Sequence, residues 1–297
     1  MSEKPFAGQV AIITGAGSGM GREHALLLAK LGAAIVVNDI DSRRNDVVAQ
    51  IEQAGGQAIA DDHDISDYAQ AADLIAAARH AFGHIHMVVS NAGISRNASF
   101  AELTPDKLEA VMSVNFYGAY HVLHHAWPHL LTQKYGRIVI VGSATAWYSQ
   151  AMAAHYAASK GALLGMAKSL AMEGEPHDIK VNILSPGAYT GMAEKNPPPD
   201  RAVLERMRAT MPANLVAPAV AWLLRRETDL NGQIIEAASG RVALNFVGCT
   251  KGYWKKDLTL ADLEACEAEI LDRQGYATPQ NTGEWTQWMM SNIGALN

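Results

Sequence analysis

Cysteine is nearly absent: Cys249 and Cys266 are the only two in 297 residues. That excludes a disulfide framework and fits a reducing compartment, so a cytoplasmic location is expected. No apolar run approaches the ~20 residues needed to span a bilayer, so no membrane span is expected. The opening residues, Met1-Ser-Glu-Lys-Pro-Phe6, lack the layout of a signal peptide. Positive charge is not in excess. The net charge of −6 removes the electrostatic footprint of a nucleic-acid or anionic-membrane binder. Internal repeats and low-complexity tracts are missing too. What is present is 49% apolar and 18% charged residues, enough for a folded chain with a large core.

The apolar residues come in short runs separated by helical patterns. Val10–Thr14, Ala34–Asn38, Gln57–Ala60, His86–Ser90 and Arg137–Val141 read as strands. Helical stretches are expected over Arg22–Leu31, Asp46–Ala54, Tyr68–Phe82, Leu108–Leu131 and the segment from His155. Strands alternating with helices of ten or more residues give an α/β fold, a doubly wound parallel sheet with helices on both faces. In such sheets the ligand crevice lies at the carboxyl ends of the strands. Gly15, Asp39, Asp64, Asn91 and Ser143 all follow strand ends.

Thr14-Gly-Ala-Gly-Ser-Gly-Met-Gly21 lies between the first strand and a helix. Glycines let a backbone approach a pyrophosphate, and the helix N-terminus favours its negative charge. Gly15, Ser18, Gly19, Met20 and Gly21 are therefore candidate cofactor contacts. Met20 takes the last position of a strict G-x-G-x-x-G, so the pattern is Thr-Gly-x-x-x-Gly-x-Gly. Asp39 ends the second strand. A carboxylate there suits the ribose hydroxyls of NAD and repels the 2′-phosphate of NADP, unless it only caps the next helix. Arg43 and Arg44 could attract a phosphate, but read as solvated helix charges, leaving NADP as the minority choice.

Tyr156 and Lys160 are spaced i, i+4 and share one helix face. A neighbouring ammonium lowers a phenol's pKa, and Ser143 just past a strand could hold a substrate oxygen beside it. Together they could move a proton on or off an alcohol or carbonyl oxygen.

The chain resembles the short-chain dehydrogenase/reductase family over roughly residues 6–240. The likeness rests on Thr14–Gly21, Asp64-Ile65, Asn91-Ala-Gly93, Asn115, Ser143, Tyr156-x-x-x-Lys160 and Pro186-Gly187, in order, with thirteen residues from Ser143 to Tyr156. It implies a Rossmann fold, a nicotinamide cofactor, hydride transfer at a carbinol or ketone carbon, and a homodimer or homotetramer. It implies that Asp64 and Ile65 hold the adenine and that Asn91, Ala92 and Gly93 line the cofactor. Pro186, Gly187 and Thr190 would lie by the carboxamide, and Lys160 would hold the ribose. Asn115 would position a water in a proton relay through Lys160.

His121, His124, His125 and His129 share one helix, but no carboxylate is interleaved among them and no metal site is assigned. By resemblance this helix lies at the subunit interface. Residues 188–212 read as a substrate loop with Asn196-Pro-Pro-Pro-Asp200, Met207 and Met211. With Trp147, Tyr148 and Met152 they point to a large apolar alcohol or ketone, unless they only pack the core. Residues 1–240 are the expected catalytic domain and 241–297 a C-terminal extension, with an amphipathic helix over Leu258–Gln274 and three tryptophans. Met211–Pro218 and this extension resemble the hydroxyacyl-CoA dehydrogenase branch and its steroid-pathway relatives. Asn115 stands where that branch commonly carries histidine. A 3-hydroxyacyl-CoA is the first substrate expectation and a hydroxysteroid the second. A catalytically silent NAD-binding sensor or scaffold is the alternative of another class. The Ser143, Tyr156, Lys160 and Asn115 set favours the enzyme, since a sensor has no need of a proton relay.

Overall fold

The computed structural model describes residues 4–191, 194 and 200–293. Met192 and Asn196–Pro199 of the expected substrate loop, and the last residues 294–297, lie outside the described residues.

Four strands, β1 (Val10–Thr14), β2 (Ala34–Asn38), β4 (Met87–Ser90) and β5 (Gly136–Val141), are buried along their whole length. Aliphatic runs of this kind need cover on both faces, which a parallel sheet with crossover helices supplies. With β3 (Gln57–Asp61), β6 (Ile179–Gly187), β7 (Ile234–Ala238) and β8 (Arg241–Asn245), they form one sheet of order 3-2-1-4-5-6-7-8. Every pairing from β3 across to β7 is parallel. Alternate strand residues feed two cores. Ile13, Ile35 and Val139 meet α1 (Gly19–Lys30) and α2 (Arg44–Gln53) on one face. Ile12, Val36 and Ile138 meet α3 (Tyr68–Phe82) and two later helices on the other. This is the doubly wound, Rossmann-like arrangement. Its order reverses at β1, between β2 and β4, so the crevice opens there, at the ends of the strands that carry Gly15, Asp39 and Asn91.

Three elements differ from the sequence reading. The helix expected over Leu108–Leu131 is α4 (Pro105–Met112), a π-helical turn (Ser113–Tyr117) and α5 (Gly118–Gln133). The run stays helical throughout, so its apolar pattern hides the extra residue. The Asn115 side chain, bonded to the Ile94 backbone, holds the turn wide. The expected loop 188–212 contains a helix, Arg201–Thr210, started by Asp200, which accepts from the Ala202 N–H at 2.8 Å. The amphipathic stretch Leu258–Gln274 is two short helices, Leu260–Ala265 and Glu267–Ile270, parted where Cys266 leaves helical geometry.

At the end of β7 the chain turns through Ser239 and Gly240, both left-handed at φ 50° and 79°. Two such residues make a tight hairpin turn, and the sheet gains β8 past residue 240. The chain divides into two compact units, parted between Leu244 and Asn245. Within the second unit, Cys249 and Ala277 exchange both backbone hydrogen bonds at 2.9 Å. The rings of Phe246 and Tyr276 stack with centroids 5.7 Å apart. No helix among the described residues is long and apolar enough to cross a membrane.

Candidate active site

The β1–α1 turn is shaped by contacts that only glycine permits. Gly15 has φ 65°, and a Cβ there would come 2.8 Å from the Ala92 Cα. At Gly21 a Cβ would press to 2.2 Å against the Gly15 carbonyl oxygen. Asn91 seals the turn: its Nδ2 donates to the carbonyls of Thr14 and Gly15 at 2.9 and 3.1 Å. The Thr14 hydroxyl accepts from the Asn91 and Ala92 N–H groups at 3.0 and 3.1 Å. Ser18, at the N-cap of α1, makes no side-chain cap, and the first turn carries no acidic residue. An uncapped helix start behind a glycine turn fits an anionic pyrophosphate. Thr190 stands across from it, its Cβ 3.6 Å from where a Gly19 Cβ would be. Met20 packs against the core beneath.

Asp39 does not cap α2. Its Oδ2 accepts from the Gly17 N–H and its Oδ1 from the Asp41 N–H, both at 2.9 Å. Both oxygens keep lone pairs for a diol. The reading of Arg43 and Arg44 as solvated charges holds for Arg43 and needs correcting for Arg44. The Arg43 side chain is 59% exposed; it forks onto Asp41 at 3.0 and 2.8 Å and holds that carboxyl at a pKa of about 2. The Arg44 side chain is only 15% exposed and donates to Asp62 at 3.0 Å, so it is an ion-paired and not a solvated charge.

Past the end of β5 come Ser143 and a short helix, α6 (Thr145–Tyr148); Ser143 faces Tyr156 and Lys160 on α7 (Ala154–Gly174). Burial raises the Tyr156 pKa above its usual value, and a hydrogen bond from Ser143 acts against that rise. Lys160 is buried, and burial alone lowers its pKa to about 8. Its Nζ lies 5.8 Å from the Tyr156 ring centroid and donates to the Val141 carbonyl at 2.8 Å. Asn115 is buried within the π turn. Its Oδ1 accepts from the Ile94 N–H at 2.7 Å, and its Nδ2 donates to the Ile94 carbonyl and the Ser159 hydroxyl at 3.0 and 3.1 Å. A Cβ on Gly93 would come 3.3 Å from Asn115 Oδ1 and 3.5 Å from Lys160 Nζ, so these groups share one corner. π turns concentrate at functional sites.

The remaining sequence-derived positions are held by local contacts. Asp64 Oδ1 takes the N–H and hydroxyl of Ser66 at 2.9 and 2.7 Å, shaping the bend before Ile65. Pro186 and Gly187 end β6, where a Gly187 Cβ would come 2.6 Å from the Ala238 Cβ. Three of the four clustered histidines bond to α3 and the bend before it. His121 donates to the Ile65 carbonyl at 2.9 Å, His125 to the Tyr68 carbonyl at 3.0 Å, and His124 meets the Tyr68 hydroxyl at 2.9 Å. Among the described residues no three His, Cys, Asp or Glu side chains converge as metal donors. Thr14, Gly17 and Ser159 were not singled out as site residues from the sequence. Thr14 and Gly17 lie inside the glycine motif and could have been found there. Ser159 becomes visible only once the helices are packed.

These residues bring a buried lysine, a hydrogen-bonded serine and tyrosine, and an anion-ready glycine turn to one crevice. The family model for short chain dehydrogenase matches residues 9–201. The chain belongs to the short chain dehydrogenase family. It is similar to a short-chain type dehydrogenase/reductase of Mycobacterium tuberculosis, 37% identical over 90% of this chain and 95% of that protein. Peroxisomal multifunctional enzyme A of Dictyostelium discoideum is 33% identical, covering 98% of this chain and 66% of that protein. The structure of full-length peroxisomal multifunctional enzyme type 2 from Drosophila melanogaster aligns with a TM-score of 0.83 at 27% identity. That alignment takes in 98% of this chain, which spans half the length of that protein. As a short-chain dehydrogenase/reductase the protein is an oxidoreductase with a nicotinamide cofactor and a small-molecule substrate.

Proposed function

We propose that the protein is an NAD-dependent dehydrogenase interconverting a secondary alcohol and a ketone on a large apolar substrate, with a 3-hydroxyacyl-CoA as the first candidate. The observation that carries the reading is the Ser143–Tyr156 hydrogen bond beside the buried Lys160. Gly15, Ser18, Gly19, Met20 and Gly21 would hold the pyrophosphate, Asp39 the adenosine ribose, and Lys160 the nicotinamide ribose. The bound dinucleotide would take up or release the hydride at the carbinol carbon. Ser143 donates a hydrogen bond to the substrate oxygen and fixes it beside the phenol. In the reductive direction Tyr156 gives its proton to the developing alkoxide. In the oxidative direction the phenolate takes the alcohol proton, and the Lys160 ammonium favours that anion. Asn115 anchors the corner through which protons reach Lys160.

Asp39 supports NAD over NADP, because its carboxylate stands where a 2′-phosphate would bring like charge. Three further points support an apolar substrate. Tyr148 and Met152 are largely exposed just past Ser143. Trp147 sits beside them, 6.2 Å from Tyr148 by ring centroids. The similarity to peroxisomal multifunctional enzymes extends through the C-terminal extension. Burying a bulky apolar group supplies ~25 cal/mol per Å². A homodimer or homotetramer belongs to the same reading.

The test is NAD⁺-linked oxidation of 3-hydroxyacyl-CoA esters, hydroxysteroids and simple secondary alcohols at low and high salt. A CoA ester carries phosphates, so its KM should rise with salt, whereas a neutral steroid's should not. Turnover of short polyols alone, or none with any alcohol while NADH binds, would overturn the proposal.

A further inference from the structure

We propose that the Arg44–Asp62 ion pair is a second determinant of cofactor choice, acting beside Asp39 against a dinucleotide that carries a 2′-phosphate. The inference rests on the reading of Asp39 as the ribose carboxylate.

Gly17, Asp39 and Arg44 meet at one point. A Cβ on Gly17 would lie 2.9 Å from Asp39 Oδ2 and 3.2 Å from the Arg44 backbone nitrogen. Arg44 opens α2 directly beside the carboxylate that would receive the ribose. A 2′-phosphate placed there needs a cation to offset Asp39, and three arginines lie near. Arg22 is held by Glu23 and, at 2.6 Å, by Gln50. The Arg43 fork is filled by Asp41. Arg44 makes a single side-chain hydrogen bond among the described residues, from Nη2 to Asp62 Oδ2. With five donors and one used, Arg44 is the guanidinium that a phosphate could recruit.

Asp62 works against that by holding Arg44 toward the end of β3. Asp62 is 69% exposed, so the pair is partly screened and the effect is modest. Asp39 excludes the phosphate by repulsion, and Asp62 withholds the counter-ion that would relieve it. The sequence reading treated Arg43 and Arg44 alike. The structure separates them by what each is bonded to.

The experiment measures NADH and NADPH dissociation constants by fluorescence titration of the full-length protein. The set is wild type, Asp62→Asn, Arg44→Gln and the pair combined, each also with Asp39→Asn. Asp62→Asn should tighten NADPH about fivefold and leave NADH within about twofold, the scale of one exposed ion pair. Arg44→Gln should cancel the gain, high salt should shrink it, and it should be larger with Asp39→Asn. Unchanged NADPH affinity on Asp62→Asn in both backgrounds overturns the inference. So does a gain that survives Arg44→Gln, since simple removal of negative charge would then explain it. A wild type that binds NADPH as tightly as NADH defeats the NAD reading instead. The Asp62→Asn comparison still decides the ion pair in that case.

Discussion

Lys160 donates its ammonium to the carbonyl of Val141 at 2.8 Å, tying the second turn of α7 to the last residue of β5. The strand that presents Ser143 and the helix that carries Tyr156 are thus joined through the residue that tunes the tyrosine. A cation is buried for this purpose, and its cost is visible in the lysine's lowered pKa.

That cost has a pH signature. Below about pH 8 Lys160 is protonated in both the folded and unfolded chain, and its burial penalty is fully present. Between about 8 and the ordinary 10.5 the unfolded chain binds more protons than the folded one. Stability from this group therefore rises with pH across that window. Lys160→Met lacks the group. The unfolding free energies of variant and wild type, compared by urea titration across the window, should shift in the wild type's favour as pH rises. A flat difference would contradict the burial argument.

Tyr156→Phe keeps the ring and removes the proton. kcat for alcohol oxidation should fall at least ~100-fold, the scale of a positioned acid or base. NADH binding should persist. Near-normal turnover with NADH bound would show that another group carries the proton.

Asn115→Leu strips three hydrogen bonds from a buried corner, two of them to Ile94 backbone groups. Each buried backbone group left without a partner costs ~1–3 kcal/mol, so a loss of about 3 kcal/mol is expected. Activity per folded molecule should fall as well. A shift in the urea midpoint alone, with kcat intact, would reduce Asn115 to a structural role.

Ser149, between the short helix after Ser143 and α7, sits at φ 63° and ψ 159°. That region is essentially reserved for glycine and costs other residues ~1–3 kcal/mol. Ser149→Gly should stabilise the protein by about 1 kcal/mol after glycine's own entropy cost. Because the segment borders Ser143 and Tyr156, KM should change in the same variant. Lower stability in chemical denaturation would refute the claim of strain.

Among the described residues from 245 on, none is buried, and Phe246, Val247, Leu260 and Leu271 are each more than half exposed. So much open apolar surface on one small unit points to a cover in the working assembly. Truncation after Asn245, which spares β8, should lower the melting temperature, change oligomer size or alter KM. A truncated protein identical in all three would remove the extension from the account.

The first five strands were legible because each is a short run, mostly aliphatic, ended by a turn residue, whereas β6 was not read as a strand. β1 and β2 fall where the pattern placed them, as does α3, whose alanine-rich repeat starts at the Asp67 cap. Ser143, Tyr156 and Lys160 were legible as a set because strand end and helix spacing both point to one crevice. Bonds between elements were not legible. Nothing in the spacing of Asp62 and Arg44 tells which arginine it holds, and Ile94 gives no sign that Asn115 would take both of its backbone groups. β8 was missed because Ser239, unlike Gly240, carries no obvious mark of a left-handed residue.

The wide turn at Ser113–Tyr117 also sets how this chain can change in length. It places one more residue in a helical run than regular winding would. Deleting any single residue there would let the run relax to ordinary winding. The residues after it would keep their phase about the axis, because the wide turn absorbs the extra residue within a single turn. α5 would then still present His121 and His125 to their carbonyl partners. What the deletion takes is the wide turn that directs Asn115 onto Ile94. The proton corner and the helix packing are therefore separable here, and a one-codon deletion removes the first while sparing the second.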